Sequence, residues 1–287
     1  MKKIVPNRSE EIYLKGRGSQ IHSKNKYLQH EVVQEHTEGI DEWLVSEVET
    51  SFITGFPKTI VNKVDSPDAE MLYSLNPYQG CEHGCIYCYA RNSHEYWGFS
   101  AGLDFERKII VKKNAPALFR EFLDKKNWKG FPISISGNTD CYQPAEKEFK
   151  ITRKLLEIAL EYNQPVSMIT KNSLILRDKD LLIQLAAKNL TSVFVSLTSL
   201  NEELRRALEP RTTTAKQRLK ILQELSEAGV PTGVMTAPII PGLNDHEMPA
   251  LLKAAKENGA KFAGYTVVRL NGSIQEIFKD WLYKNFP

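Results

Sequence analysis

Three of the four cysteines of this chain stand together, at Cys81, Cys85 and Cys88, within Asn76-Pro77-Tyr78-Gln79-Gly80-Cys81-Glu82-His83-Gly84-Cys85-Ile86-Tyr87-Cys88-Tyr89-Ala90-Arg91. Thiolates at C-x3-C-x2-C spacing on one short loop can converge on a single inorganic centre, and Gly80 and Gly84 let the backbone curl around it. Three thiolates are one ligand short. A cubane [4Fe–4S] cluster has four irons, so three protein thiolates leave one iron open to an outside ligand, whereas structural zinc takes a closed four-ligand shell. Two other readings stand beside the cluster: zinc completed by His83 or His94, and cysteines without a ligand role. The spacing is not that of paired zinc knuckles.

The rest of the chain reads as the scaffold for this loop. Its 287 residues, 41% of them hydrophobic, suffice for a sizeable core. No apolar run approaches 18 residues and Met1–Asn7 has no hydrophobic segment, so neither a transmembrane helix nor a signal peptide is expected. Four cysteines with three clustered do not resemble a secreted disulfide framework, and a reducing cytoplasmic location is expected. The net charge of +3 is too small to imply nucleic-acid binding by itself. Residues 1–26 carry seven Lys and Arg, and Glu31–Glu49 carries seven acids and no Lys or Arg, which reads as a solvated lead-in. We expect an N-terminal extension over residues 1–65, partly irregular, with a turn at Ser66-Pro67-Asp68, and a catalytic domain over 66–287.

From Leu72–Leu75 onward, strand-like runs at Phe131–Ser136, Val166–Thr170, Ser192–Leu197, Gly233–Ala237 and Phe262–Val268 alternate with helical patterns. That alternation predicts βα repeats and a parallel sheet. Ile151, Leu155, Ile158 and Tyr162 mark one helix face; Leu181, Leu182, Leu185 and Ala186, and Leu219, Leu222, Leu225 and Ala228, mark two more. Ala115–Lys126 reads as the first crossover helix and Gln275–Phe286 as the last, with Gly229 and Gly259 as helix stops. Six strands, and less chain than the ~250 residues of a closed eight-fold barrel, fit a partial (β/α)6 barrel of TIM type. Chemistry in such folds gathers at the C-terminal strand ends. There the sequence offers Gly137, Asn138 and Thr139 after strand two, Lys171 after strand three, Ser196 and Thr198 at strand four, Arg211 and Arg218 beyond it, and Pro238 and Ile240 after strand five. Lys171 and the two arginines suit a carboxylate, and Ser196 and Thr198 point their hydroxyls the same way.

With Tyr87 just before its last cysteine, the C-x3-C-x2-C loop resembles the signature of the radical S-adenosylmethionine (SAM) enzymes. That resemblance implies a [4Fe–4S] cluster on Cys81, Cys85 and Cys88, with SAM chelated to the open iron. The reduced cluster then passes one electron to SAM, giving methionine and a 5′-deoxyadenosyl radical that abstracts hydrogen from a substrate. It also implies a partial barrel and an electron donor such as a flavodoxin or ferredoxin. Tyr87 is implied as a cofactor contact. Gly137, Asn138 and Thr139 stand where the family binds the SAM amino group; Lys171, Ser196, Thr198, Arg211 and Arg218 are implied around its ribose and carboxylate. Pro238-Ile239-Ile240-Pro241-Gly242-Leu243-Asn244-Asp245 is similar to the family's adenine motif G-x-I-x-G-x-x-E, with Pro238 for the first Gly and Asp245 for the Glu.

Asn-Pro-Tyr-x-Gly-Cys, Thr139-Asp140-Cys141-Tyr142-Gln143-Pro144, Glu209-Pro210-Arg211 and Ala237-Pro238-Ile239-Ile240-Pro241-Gly242 resemble a group related to spore photoproduct lyase, a DNA repair enzyme. That likeness implies Tyr89 and Cys141 as catalytic residues in hydrogen transfer. Photoproduct lyase carries its donor in a Cys-Thr-Ser-Asp run, which laid on Gly137-Asn138-Thr139-Asp140 puts glycine at the donor's place; Cys141 lies four positions on. A buried structural thiol is the alternative for Cys141. Arg107, Lys108, Lys112 and Lys113 near Tyr96, Trp97 and Phe99 could stack on nucleotides, with core or lid as the commoner use of such residues; a nucleic-acid substrate is slightly favoured over a peptide or small molecule. A zinc-stabilised binding protein is the reading from a different class.

Overall fold

The computed structural model describes residues 14–27, 49–65 and 71–286. Residues 1–13 of the basic arm, the acidic stretch up to residue 48 and the expected Ser66-Pro67-Asp68 turn lie outside the described residues. In chain order the elements are β1 (Ser51–Thr54), β2 (Val61–Lys63), β3 (Tyr73–Leu75), β4 (Tyr78–Gln79), α1 (Leu103–Arg107), β5 (Lys108–Val111), α2 (Ala115–Leu123), β6 (Ile133–Ile135), α3 (Ala145–Phe149) and α4 (Ile151–Glu161). There follow β7 (Val166–Thr170), α5 (Lys179–Ala187), β8 (Thr191–Ser196), α6 (Glu202–Leu208), α7 (Ala215–Glu227), β9 (Thr232–Ile239), α8 (Met248–Glu257), β10 (Phe262–Val267) and α9 (Ile274–Asn285).

The main sheet has the order β10-β9-β8-β7-β6-β3-β2. Its strands from β3 to β10 are parallel, and each pairs with its sequence neighbour. This is the α/β fold and the six-strand succession expected from the sequence. Among the described residues no ladder joins β10 to β2, so the sheet is open. β2 adds antiparallel to β3, and β1 pairs parallel with β5 in a second small sheet with β4. Residues ahead of the expected boundary at 65/66 thus contribute strands to both sheets. No helix of the described residues is long and apolar enough to cross a membrane.

Successive right-handed crossovers put the intervening helices on one face of the sheet. Ile133, Ile135, Val166, Met168, Val193 and Val195 point to that face and join the principal core with Leu155 and Leu156 of α4, Leu182 and Leu185 of α5, and Ile221, Leu222 and Leu225 of α7. Each such side chain, fully buried, contributes on the order of 1.5–3 kcal/mol. Local signals agree with the packing. Asn201 caps α6 by accepting from Glu203 N (2.9 Å) and Leu204 N (3.2 Å). Gly229 and Gly259, just past α7 and α8, take φ of +80° and +91°, the left-handed stop that glycine allows.

The last helix departs from the expected repeat. α9 packs Ile277, Phe278 and Trp281 against Cys85, Ile86 and Tyr87 of the cysteine loop, Leu208 of α6 and Ile240, and Trp281 Nε1 donates to Ala207 O at 3.0 Å. With α9 directed to the loop, Phe262, Tyr265 and Val267 of β10 stay exposed. The loop's own apolar residues give α9 a buried face there.

Candidate active site

β3 ends at Leu75 and the chain passes through β4 into the cysteine loop, which therefore leaves from the C-terminal end of the first parallel strand. Gly80 and Gly84 take φ of +81° and +68°. A Cβ at Gly84 would lie 2.9 Å from Glu106 Oε2, and one at Gly80 would meet the carbonyls of Phe105 and Lys108 at 3.0 Å; both turns need glycine. Neighbouring segments pin the backbone, with Cys81 N donating to Phe105 O (2.8 Å) and Ile86 N to Leu208 O (3.0 Å). The buried guanidinium of Arg91 donates to Cys85 O (3.0 Å), Ala101 O (3.2 Å) and Gly102 O (3.1 Å), and pairs with Glu106 Oε1 at 2.6 Å. Glu106 in turn accepts from Gly18 N and Ser19 N, which straps residues 14–27 against the loop.

Cys81, Cys85 and Cys88 are all free thiols, the first two buried and the third partly so. Burial, above all, raises all three; Asp140 and the other two thiols add to the effect at Cys81, and Glu209 and Cys88 at Cys85. Three thiolates in this dry setting therefore need compensating positive charge, which the irons of a cluster supply. Among the described residues no group of three or more His, Cys, Asp or Glu is arranged to hold a single metal ion. The histidines weighed as a fourth zinc ligand are placed otherwise. His83 has Nδ1 3.4 Å from Asp140 Oδ2 and Nε2 3.1 Å from Asn172 Nδ2. His94 lies between the rings of Phe99 and Phe105, where burial lowers its pKa to about 4.

At the strand ends above the helix-free face, Lys171 Nζ donates to Ser196 Oγ at 2.8 Å and stands 6.0 Å from the centre of the Tyr87 ring. Arg211 is partly exposed, 3.7 Å from Glu82. Asn138 N and Thr139 N donate to Asn76 Oδ1 (2.7 and 3.2 Å), and Thr139 Oγ1 donates to Tyr78 O. Tyr89 is exposed and donates its hydroxyl to Gly137 O at 2.6 Å. Ile240 is buried beside Cys85 and Tyr87. Its N–H donates to Asn244 Oδ1 (2.6 Å), while Asn244 Nδ2 donates to Thr198 O (2.8 Å) and Pro238 O (3.1 Å). Gly137, Tyr87, Tyr89, Lys171, Ser196 and Arg211 are thus gathered around the cysteine loop.

Among the expected site residues, Thr198 is buried and gives its hydroxyl to Glu209, and two more face elsewhere. Arg218 has no exposure and all three of its guanidinium nitrogens are engaged, by Glu209, Thr212 Oγ1 and the carbonyls of Ser196 and Thr213; it holds Glu209 and has no fork left for a ligand carboxylate. Cys141 is fully buried in the principal core, where Ser136 Oγ donates to its sulfur at 3.1 Å. Burial pushes this thiol well up, and it has no open path to a substrate radical. Lys112, counted among the basic residues, donates to Asn76 O at 2.9 Å, and burial lowers its pKa to about 8.

Glu209 is the residue that sequence reasoning missed. It accepts hydrogen bonds from Tyr87, Thr198 and Arg218. Burial alone would raise its carboxyl; Arg218 and Lys171, with the two hydroxyls, hold it down at about 2. The signal was present in Glu209-Pro210-Arg211, but charge on a helix end reads equally as a surface feature.

Residues 75–255 match the model of the radical SAM superfamily, and the chain belongs to that superfamily. An uncharacterised protein of Mycobacterium tuberculosis is 35% identical over 237 residues, covering 80% of this chain and 68% of the relative. One of Methanocaldococcus jannaschii is 32% identical over 232 residues, covering 80% and 82%. Among solved structures, a mutant spore photoproduct lyase with bound AdoMet and dinucleoside spore photoproduct is similar with a TM-score of 0.62 and 16% identity, over 84% of this chain and 69% of that one. SuiB of Streptococcus suis bound to its precursor peptide has a TM-score of 0.50 and 16% identity, over 74% and 46%. The fold is therefore that of radical SAM enzymes, a family that binds an iron–sulfur cluster and SAM and needs an electron donor.

Proposed function

We propose that this protein is a radical SAM enzyme that cleaves SAM reductively and takes a hydrogen atom from a nucleic-acid substrate. The observation that carries the first part is the set of three free thiols, and only three, on a glycine-turned loop at the C-terminal end of the first parallel strand. When bound, a [4Fe–4S] cluster on Cys81, Cys85 and Cys88 supplies one electron to SAM and so generates the 5′-deoxyadenosyl radical. The chain's own residues do the rest. Lys171 puts a cation beside Ser196 and over Tyr87, where it can meet the SAM carboxylate. Ile240 and Pro238, folded by Asn244, offer an apolar bed for the adenine. α9 covers Cys85 and Tyr87 with Phe278 and Trp281 and so keeps water from that side. Tyr89, exposed at the mouth, holds its phenol at Gly137 O and is the candidate to pass hydrogen. The electron comes from a donor such as a flavodoxin or ferredoxin, in a reducing cytoplasm.

Nucleic acid as substrate is favoured by exposed aromatics beside the loop. The Tyr27 and Tyr96 rings lie 4.6 Å apart between centroids at a tilt of 31°, Lys26 stands 5.0 Å from the Tyr27 ring, and Trp97 is also exposed; base and aromatic interleaved suit a single strand. Anaerobic reconstitution with iron and sulfide tests the reaction. The expected result is dithionite-dependent formation of 5′-deoxyadenosine, abolished by Cys85→Ala. Stoichiometric zinc that survives purification, with no SAM cleavage after reconstitution, refutes the proposal in favour of a zinc-stabilised binding protein.

A further inference from the structure

The face of the main sheet that carries no helices bears a regular feature that the cysteine loop does not use. Ser74 of β3 is in register with Ser134 of β6, Ser134 with Ser167 of β7, and Ser167 with Ser192 of β8. Their neighbours along each strand, such as Ile133, Ile135, Val166, Met168 and Val193, point into the helix-covered core. Strand alternation therefore turns all four serines to the inner face. Four hydroxyls stand in one line, roughly 14 Å long at the usual strand spacing. None of the four donates to or accepts from any protein group among the described residues, although Ser74 is 8% and Ser134 5% exposed. These hydroxyls are not sealed from solvent, so the row is free to bond something held against the inner face.

Two further features define what that is. Beside the row, a Cβ at Gly233 would lie 2.5, 2.7 and 3.2 Å from three ring atoms of Phe194. The Phe194 ring therefore reaches over Gly233, on the inner face, and offers apolar aromatic surface there. Further, of the paired strand residues on this face below Lys171, none is charged. A ligand group bearing a net charge would lose its hydration there without a partner. The Ser74 end of the row adjoins the mouth, since the Gly137 backbone lies over Ser74 and Tyr89 bonds to Gly137 O.

We propose that the inner face holds the reacting part of the substrate as a neutral, planar, hydrogen-bonding ring. Its edge bonds to Ser134 and Ser167 and its face rests on Phe194. A nucleobase has this chemistry, and a charged peptide side chain does not. This inference rests on the preceding reading and names the subsite that would select its substrate.

The reconstituted, SAM-loaded protein is titrated with thymidine, uridine, cytidine, adenosine and guanosine at millimolar concentration, and with N-acetyl-lysine amide, using ligand-observed NMR. At least one nucleoside is expected to bind, and the lysine derivative is not. Ser134→Val and Ser167→Val are each expected to weaken that binding about tenfold, and Phe194→Leu several-fold. Should a valine variant not fold, Ser134→Ala and Ser167→Ala remove the same hydroxyl without added bulk. The inference is overturned if no nucleoside binds the wild type, if the lysine derivative binds instead, or if loss of the hydroxyls leaves nucleoside affinity unchanged. Dithionite-driven SAM cleavage by the wild type, measured on the same preparation, decides the preceding proposal separately.

Discussion

The mouth of this protein and the body beneath it are held together by different forces. In the body, between sheet and helices, the buried side chains are mostly Leu, Ile, Val, Met and Ala, with Tyr78, Phe119, Tyr142 and Cys141 among them, and their contribution follows the area removed from water. Around the cysteine loop, two arginine–carboxylate pairs are buried without exposure, Arg91 with Glu106 and Arg218 with Glu209. Such pairs add little net stability over an apolar filling, since desolvation offsets their attraction. They do fix direction. Arg91 sets the Cys85 carbonyl, and Arg218 with Glu209 sets Tyr87 and Thr198. The body makes the fold stable; the mouth makes one loop conformation unique.

Removing one member of a mouth pair should therefore cost more than an equal truncation in the body. Arg218→Ala leaves Glu209 charged and buried, and a loss of about 3–5 kcal/mol is expected. Leu222→Ala, in the core against β8 and β9, is expected to cost about 2–4 kcal/mol. Urea denaturation of both variants, read by far-UV circular dichroism, checks the order. If Arg218→Ala proves the milder change, the mouth is not held by its charges.

Acid should weaken the mouth. Glu209 is depressed to about 2 in the folded protein, against an ordinary glutamate value near ~4.3 when unfolded. A depressed carboxyl stabilises the fold above its unfolded pKa, and that contribution is lost as pH falls from about 4.3 through about 2. The upper bound is about 3 kcal/mol. Wild type should lose stability steeply across that window and Glu209→Gln much less so; parallel slopes would break the link between the mouth and its carboxylate.

The same division explains what could be read in the sequence. The body is periodic, so the six parallel strands and the α4, α5 and α7 faces were legible from alternation and from i, i+4 spacing. The cysteine loop was legible too, because three thiols in eight positions have few uses. The polar network was not. Whether Arg218 meets a ligand or Glu209 depends on a pairing across nine residues of loop and helix that no period encodes. Equally, α9 was legible as a helix, but its amphipathic face does not say that it packs on the cysteine loop. The serine row appears only once strand register aligns four separate segments.

Cys141 offers the finest test of where body ends and mouth begins. It lies within the polar run from Ser136 to Pro144, which reads as mouth, yet its side chain belongs to the principal core. As part of the body, its thiol does only the work of a small hydrophobe. Cys141→Ala should then lower stability by about 1 kcal/mol, for the single buried heavy atom lost, and leave dithionite-driven formation of 5′-deoxyadenosine at the wild-type rate. A donor acting only on a substrate radical would leave that rate unchanged too, so it is the thermal melt that decides whether the thiol is packed as part of the body. A variant as stable as wild type but impaired in SAM cleavage would put Cys141 back among the residues of the mouth.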